Sequence, residues 1–332
     1  MSAGAGAKGI LGKVAPAISL VAVVAFFYAY APDHPLTVQD ARIILLQTVI
    51  VGLVALGMTL VIVSGGIDLS VGSSVALCGV VAAKVMKSEV IGPELMPLLV
   101  FGAAACMGTL CGVYNGVLTT VLRLPPFIVT LGTLGFFRGA AKWVSGSQPV
   151  YADPGWMALL VEPEPQSPRT SWMMVAPMVW VLVVIAGAVA IVMNHTVPGR
   201  QMVAIGSNQE AARRAGVKIA RVKVILYAAC GMLAGLAGVV QYARLSGSGD
   251  PTVQVGLELK AVAAVVIGGA SFSGGHASVI GTLCGAVLMV LLENRCTAVG
   301  WPNYVQELVV GHIIIIAVAV DQWRRMRGSA RV

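Results

Sequence analysis

The chain has 332 residues, 58% of them hydrophobic and 11% charged, with a mean hydropathy of +0.88 and a formal net charge of +8. Soluble domains carry about one-quarter charged residues, so this composition excludes an ordinary soluble fold and points to membrane spans of roughly 20 residues each. The positive charge does not indicate nucleic acid, because no soluble basic domain carries it; cytoplasmic membrane loops account for it better.

In chain order, ten spans are expected, at residues 14–31, 43–63, 70–86, 97–121, 124–141, 172–193, 223–243, 259–273, 276–292 and 303–322. The expected fold is all-α: a polytopic membrane protein of about ten transmembrane helices with Gly-rich broken segments. A tail at 1–13 precedes the membrane domain at 14–322, and a basic tail follows at 323–332. The first span admits a second reading, a signal peptide, with Lys8 and Lys13 as the basic region and Ala29-Tyr30-Ala31 as a cleavage site. Its apolar stretch exceeds the usual roughly 7–15-residue signal core, which favours an uncleaved span.

Residues 64–73, Ser-Gly-Gly-Ile-Asp-Leu-Ser-Val-Gly-Ser, interrupt two apolar runs. Lipid offers no partners for loose backbone or a carboxylate, so such a break must line a protein interior or a watery path. Ser64, Gly65, Gly66, Asp68, Ser70 and Gly72 are therefore candidate pathway or gating residues. Asp68 has two compatible readings: a latch or anchor of the loop, and a helix cap accepting the amides of Ser70 and Val71. In the fourth span, Gly108, Gly112 and Gly116 recur every fourth residue and suit close helix packing.

With both termini in the cytoplasm, the inner segments hold 13 of the 22 Lys and Arg residues, as the positive-inside bias requires. The outer loop at 142–171 is rich in proline and serves either as a partner surface or as a connector. The inner loop at 194–222 is basic and looks helical over 209–215, capped by Ser207 or Asn208. Late in the chain, Gly268-Gly269-Ala270-Ser271-Phe272-Ser273-Gly274-Gly275-His276 repeats the pattern of 65–73. Matched breaks in two halves of a transporter often mark its central site, which adds Gly268, Gly269 and Ser271.

The six cysteines include no CxxC and read as buried fillers. Four histidines, at 34, 195, 276 and 312, are too scattered for a metal site, and His312 reads as a hydrogen-bonded core residue. No GxxxxGK[ST], HExxH, GxSxG or carboxylate pair is present, so neither nucleotide hydrolysis nor other catalysis is expected of this chain.

Several stretches together resemble the permease subunits of ribose-type sugar ABC importers. They are Gly57-Met58-Thr59 with 64–73, Asn115-Gly116, Pro126-Phe127-Ile128-Val129-Thr130-Leu131-Gly132, Arg138-Gly139, Gly199-Arg200 with 204–208, and Glu258-Leu259 with 261–269. The resemblance spans about residues 41–325, in order. Glu210-Ala211-Ala212-Arg213-Arg214-Ala215-Gly216 is similar to the EAA-x3-G loop by which ABC permeases dock on their ATPase. Departures exist: Asn294-Arg295 stands where the family has Asn-Gly, and Gly275-His276-Ala277-Ser278 replaces a more Gly-rich turn. They put the outer end of the ninth span in question.

The resemblance implies a multi-pass protein of the bacterial inner membrane that forms the path for a monosaccharide such as a pentose. Glu210, Ala211, Ala212 and Gly216 would couple to a separate ATPase, which would bind the ATP and Mg; no cofactor is expected in this chain. An extracytoplasmic sugar-binding protein and a second permease copy, as a homodimer, complete the implied assembly. Asn115, Thr130, Thr133, Gln241, Ser64, Ser70 and Ser271 are candidate path-lining groups, though each taken singly better suits a bond to a neighbouring helix. Nucleoside or autoinducer-type substrates are the alternative within the family. An ion-coupled secondary transporter is the alternative outside it, and would call for paired membrane acids.

Overall fold

The computed structural model describes residues 18–329 apart from 89–91, 93, 168, 169 and 171. The expected tail at 1–13, the first residues of span one, the last of the basic tail, and Glu89, Pro168 and Arg169 lie outside the described residues. The described chain is helical almost throughout. Its elements are α1 (Ile18–Tyr30), α2 (Val38–Val63), α3 (Val71–Lys87), α4 (Met96–Val121), α5 (Pro126–Ser145), β1 (Val150–Tyr151), α6 (Met157–Leu160) and α7 (Pro177–His195). There follow α8 (Val197–Ser207), α9 (Gln209–Arg214), α10 (Ile219–Arg244), β2 (Ser248–Gly249), α11 (Leu257–Ile267), α12 (Val279–Ala298) and α13 (Asn303–Ser329).

Five helices, α2, α4, α7, α10 and α12, are long and apolar enough to cross a membrane. The others fall short in length or apolar content. α11 in particular ends at Ile267, several residues before the expected end at 273, because Gly268 and Gly269 stop it.

α2 is the axis of the fold. It is apolar on every side, and 94% of its most apolar window is buried. An all-round apolar helix belongs in the middle of a bundle, and α10, α12, α11, α7 and α8 surround it. It starts at Val38 rather than 43 because Thr37 and Asp40 form a capping box: Thr37 Oγ1 accepts the Asp40 amide at 3.1 Å, and Asp40 Oδ2 accepts the Thr37 amide at 2.9 Å. α7, by contrast, turns Trp180, Val183, Val184 and Ile191 outward. Exposed apolar rows of that kind belong against lipid.

The glycine stripe of α4 packs on α10. Gly108 faces Gly231 and Gly235, Gly112 lies on the backbone of Tyr227, and Gly116 on Val224. A Cβ on Gly116 would sit 2.8 Å from Val224 Cα, so a larger residue there must push the helices apart. α2 and α12 are joined by a Thr59–Thr282 hydroxyl pair at 2.9 Å.

Two loops expected as separate outer segments are tied together. β1 pairs antiparallel with β2, Val150 opposite Gly249 and Tyr151 opposite Ser248. Tyr242 at the end of α10 donates its hydroxyl to Ala152 O at 2.6 Å. Arg138 on α5 donates from one nitrogen to Pro251 O (2.8 Å) and Val253 O (2.6 Å), holding the strand's continuation down.

The departure at Asn294-Arg295 does not end α12, which continues to Ala298. Arg295 is buried, donates to His34 O at 3.1 Å and lies 3.5 Å from Asp40. A long cation thus closes the gap between α12 and the start of α2. Among the cysteines, all six are free, but Cys106 is exposed and Cys284 half-exposed, so the reading as buried fillers fails for those two. α4 presents Cys106 on its outward side. His312 is hydrogen-bonded, its Nδ1 2.8 Å from Leu308 O, yet it is exposed rather than in the core.

Candidate translocation and coupling site

The first break begins where Gly65, at φ +74°, ends α2. Only a residue without Cβ takes that turn at no steric cost. Gly66 lies under Tyr227, where a Cβ would come 2.8 Å from the phenol oxygen. The chain then runs through Ile67 and Asp68 to Ser70, which opens α3.

Asp68 is 2% exposed. Its Oδ1 accepts the Ser70 amide at 2.9 Å and the Ser70 hydroxyl at 2.7 Å. Asn115 on α4 reaches it with Nδ2 at 3.2 Å from each carboxylate oxygen, and also lies 2.8 Å from Ser70 Oγ. Tyr227 on α10 donates to Ile67 O at 3.0 Å. A buried carboxylate without such donors would cost several kcal/mol. Of the two amides a cap was expected to bind, the structure gives Asp68 that of Ser70. Asp68 therefore shapes the turn before α3, while Ser70 occupies the cap position without a side-chain cap bond.

The second break meets the first. Gly269, Gly274 and Gly275 all have positive φ, and the Gly275 amide donates to Val63 O at 2.9 Å. Gly274 lies beside Gly65, where a Cβ would be 3.0 Å from the Gly65 nitrogen. Gly268 packs on the backbone of Gly281 and Thr282 in the first turn of α12, with no room for a side chain. Ser271 donates its amide to no helix but to His276 O at 3.0 Å, and its buried hydroxyl has no hydrogen-bond partner among the described residues.

The loop at 194–222, expected on the inner side, forms two helices where one was expected. Thr196 Oγ1 caps α8 at the Gly199 amide (3.3 Å) and Asn208 Oδ1 caps α9 at the Ala211 amide (2.9 Å). Gly216, at φ +82°, ends α9, with the Val217 amide turning back to Ala212 O at 3.1 Å. Glu210 and Ala211 are exposed, Glu210 pairing with Arg214 at 3.3 Å, whereas Ala212 is only 4% exposed and belongs to the main core. Ala212 therefore faces inward. At the end of α8, Gly206 rests on Val63 O and the Gly275 amide, closer than a methyl group would permit. The loop that carries α9 thus abuts the point where both breaks meet.

Not every candidate joins this junction. Thr130 is buried on α5 but donates to its own helix at Pro126 O, 2.9 Å away. Thr133 donates to Thr130 O at 3.3 Å. Ser64 donates to Val61 O at 2.8 Å. Gln241 leaves its buried Oε1 without a hydrogen-bond partner among the described residues. Gly72 packs against the start of α11 and the turn before it, where a Cβ would meet Glu258 and lie 2.6 Å from Gln254 O. Two participants were not among the candidate site residues: Tyr227, a lone aromatic inside an apolar run, and Gly206, which lies in the 204–208 stretch that carries the resemblance. Tyr227 has no periodic or motif signal, and the resemblance gave Gly206 no role.

A helical, apolar bundle with a buried polar break and an abutting capped helix pair is the build of a multi-pass membrane protein. The chain belongs to the family described as the permease component of the branched-chain amino acid transport system, which matches residues 41–318. It is 36% identical over 314 residues to the ribose import permease protein RbsC of Escherichia coli (strain K12), covering 92% of each chain. It is 35% identical over 317 residues to the protein of that name in Bacillus subtilis (strain 168), covering 95% of this chain and 94% of the relative. The fructose import permease protein FrcC of Rhizobium meliloti is 35% identical over 284 residues, 85% of this chain and 78% of the relative. No solved structure matches the chain.

Proposed function

We propose that this chain is the pathway-forming subunit of an ATP-driven importer for a monosaccharide, ribose or a related sugar. The observation that carries the proposal is the near full-length identity to ribose import permeases. Its mechanical counterpart is the junction of Gly206, Val63 and Gly275, through which a push on α9 reaches both breaks. In this reading about ten helices cross the bacterial inner membrane, with both termini in the cytoplasm. Glu210, Ala211, Ala212 and Gly216 couple to an ATPase subunit that binds ATP and Mg. A sugar-binding protein docks on the outer loops, and a second copy completes the pathway. The Asp68–Ser70–Asn115 cluster holds the break in shape as the helices around it move.

Reconstitution in liposomes tests this. The chain alone is expected neither to hydrolyse ATP nor to concentrate sugar. With its ATPase and binding protein added, uptake should need ATP inside and binding protein outside, and should survive collapse of ion gradients. Uptake by the lone chain driven by a proton or sodium gradient would overturn the reading in favour of a secondary transporter. A 31% identical relative is an autoinducer 2 import permease protein of Enterobacter sp. (strain 638), so that substrate type belongs in the same assay. Its preference over ribose would reassign the substrate and keep the class.

A further inference from the structure

Between the C-terminal end of α4, the start of α5 and the α9–α10 corner lies a cavity of about 750 Å³. Arg123, Arg213, Lys218, Arg221 and Lys223 line it, and no acidic residue does. Glu210, the acid close by on α9, is engaged with Arg214. Among the described residues none of the five lining cations forms an ion pair, while Lys223 reaches Gln209 Oε1 at 3.1 Å. Like charges gathered in a concave site repel one another and raise the local potential for an anion. The same corner exposes Leu122, Leu124, Phe127 and Ile128 at the ends of α4 and α5. Cations in a hollow beside an exposed apolar edge match an amphiphile with an anionic head and acyl chains. An acidic protein surface offers the charge and leaves the apolar edge unmatched.

We propose that this cavity binds the phosphate headgroup of an anionic phospholipid, with the acyl chains along the exposed edge of α4 and α5. Basic pockets between membrane helices on the cytoplasmic side are suited to such headgroups. The inference rests on the proposed placement of this face in the cytoplasm, and not on the substrate or the energy source. Through the Lys223–Gln209 contact, an occupied pocket bears on the first residue of α9, so the lipid steadies the segment proposed to meet the ATPase.

The test is native mass spectrometry of the purified chain with mixed micelles of equal parts phosphatidylglycerol and phosphatidylcholine. The wild type is expected to retain phosphatidylglycerol preferentially. Each cation near an anionic surface contributes a factor of roughly five, so the triple variant R123Q/K218Q/R221Q should lose more than about tenfold of that preference. If the triple variant does not fold, Lys218→Gln and Arg221→Gln singly should each weaken the preference several-fold at an unchanged melting temperature. An equal preference in the folded variants would overturn the proposal. So would displacement of the lipid by inorganic phosphate alone, which would mark a simple anion site. Absence of any lipid preference, with Lys218 shielded from amine labelling only when the ATPase is added, would overturn it in favour of a protein contact. Binding is read without transport, so the outcome stands apart from the uptake assay.

Discussion

At Asp68 the bonding pattern separates the contributions of shape and charge. An asparagine there keeps an oxygen for the Ser70 amide and hydroxyl. Its amide nitrogen then needs an acceptor, and Asn115 Oδ1, buried and without a partner, becomes available if the Asn115 side chain turns over. Asp68→Asn is therefore expected to be mild. Asp68→Ala takes the acceptor from the Ser70 amide and hydroxyl, at a cost of about 1–3 kcal/mol for each unsatisfied group, while Asn115 Nδ2 keeps Ser70 Oγ. The melting temperature in detergent should fall clearly for the alanine variant only, and uptake with it. If both variants lose transport equally while melting as the wild type, the carboxylate charge matters beyond the hydrogen bonds. Tyr227→Phe should cost about 1 kcal/mol by removing the bond to Ile67 O, without opening a cavity.

Among the elements, α9 is where docking and folding have to be kept apart. Ala212 lies in the core, so a charged residue there destabilises the subunit as well as any interface. Ala211 is exposed, and Ala211→Asp should abolish binding-protein-stimulated ATP hydrolysis at an unchanged melting temperature. Full stimulation in that variant would show that α9 does not meet the ATPase. Gly216 has open space around it, so its constraint is conformational alone. Gly216→Val should cost about 1–3 kcal/mol of backbone strain, and Gly216→Asn, which tolerates the left-handed region, clearly less. On α4 the limit is steric instead. Gly112→Val must separate α4 from α10 and should abolish stable expression, because the obstacle is the Tyr227 backbone rather than a side chain that can turn aside.

Across the whole molecule, the loops that carry β1 and β2 behave as one surface. Tyr151 and Ser248 are register partners in the small sheet, so cysteines at both positions should cross-link under oxidising conditions in a background without the six native cysteines. Non-reducing gel mobility reads this out, and failure to cross-link would place the loops apart. The sequence by itself determined the helical membrane class, the two Gly-rich breaks, the α4 glycine stripe and the α9 motif, because apolar run length, glycine spacing and capping residues are local properties. The helix limit at Gly216 was legible, whereas the Thr37–Asp40 capping box and Gly268-Gly269 set limits several residues from where apolar run length put them. The end of α12 was missed as well, where Arg295 reaches the distant partners Asp40 and His34. Only the tertiary structure decided that Tyr227 and Asn115 support the first break, that Ala212 faces inward, and that Gly206 lies where the two breaks meet. Those are contacts between residues far apart in the chain, and they depend on how closely helix backbones approach, which no local pattern specifies.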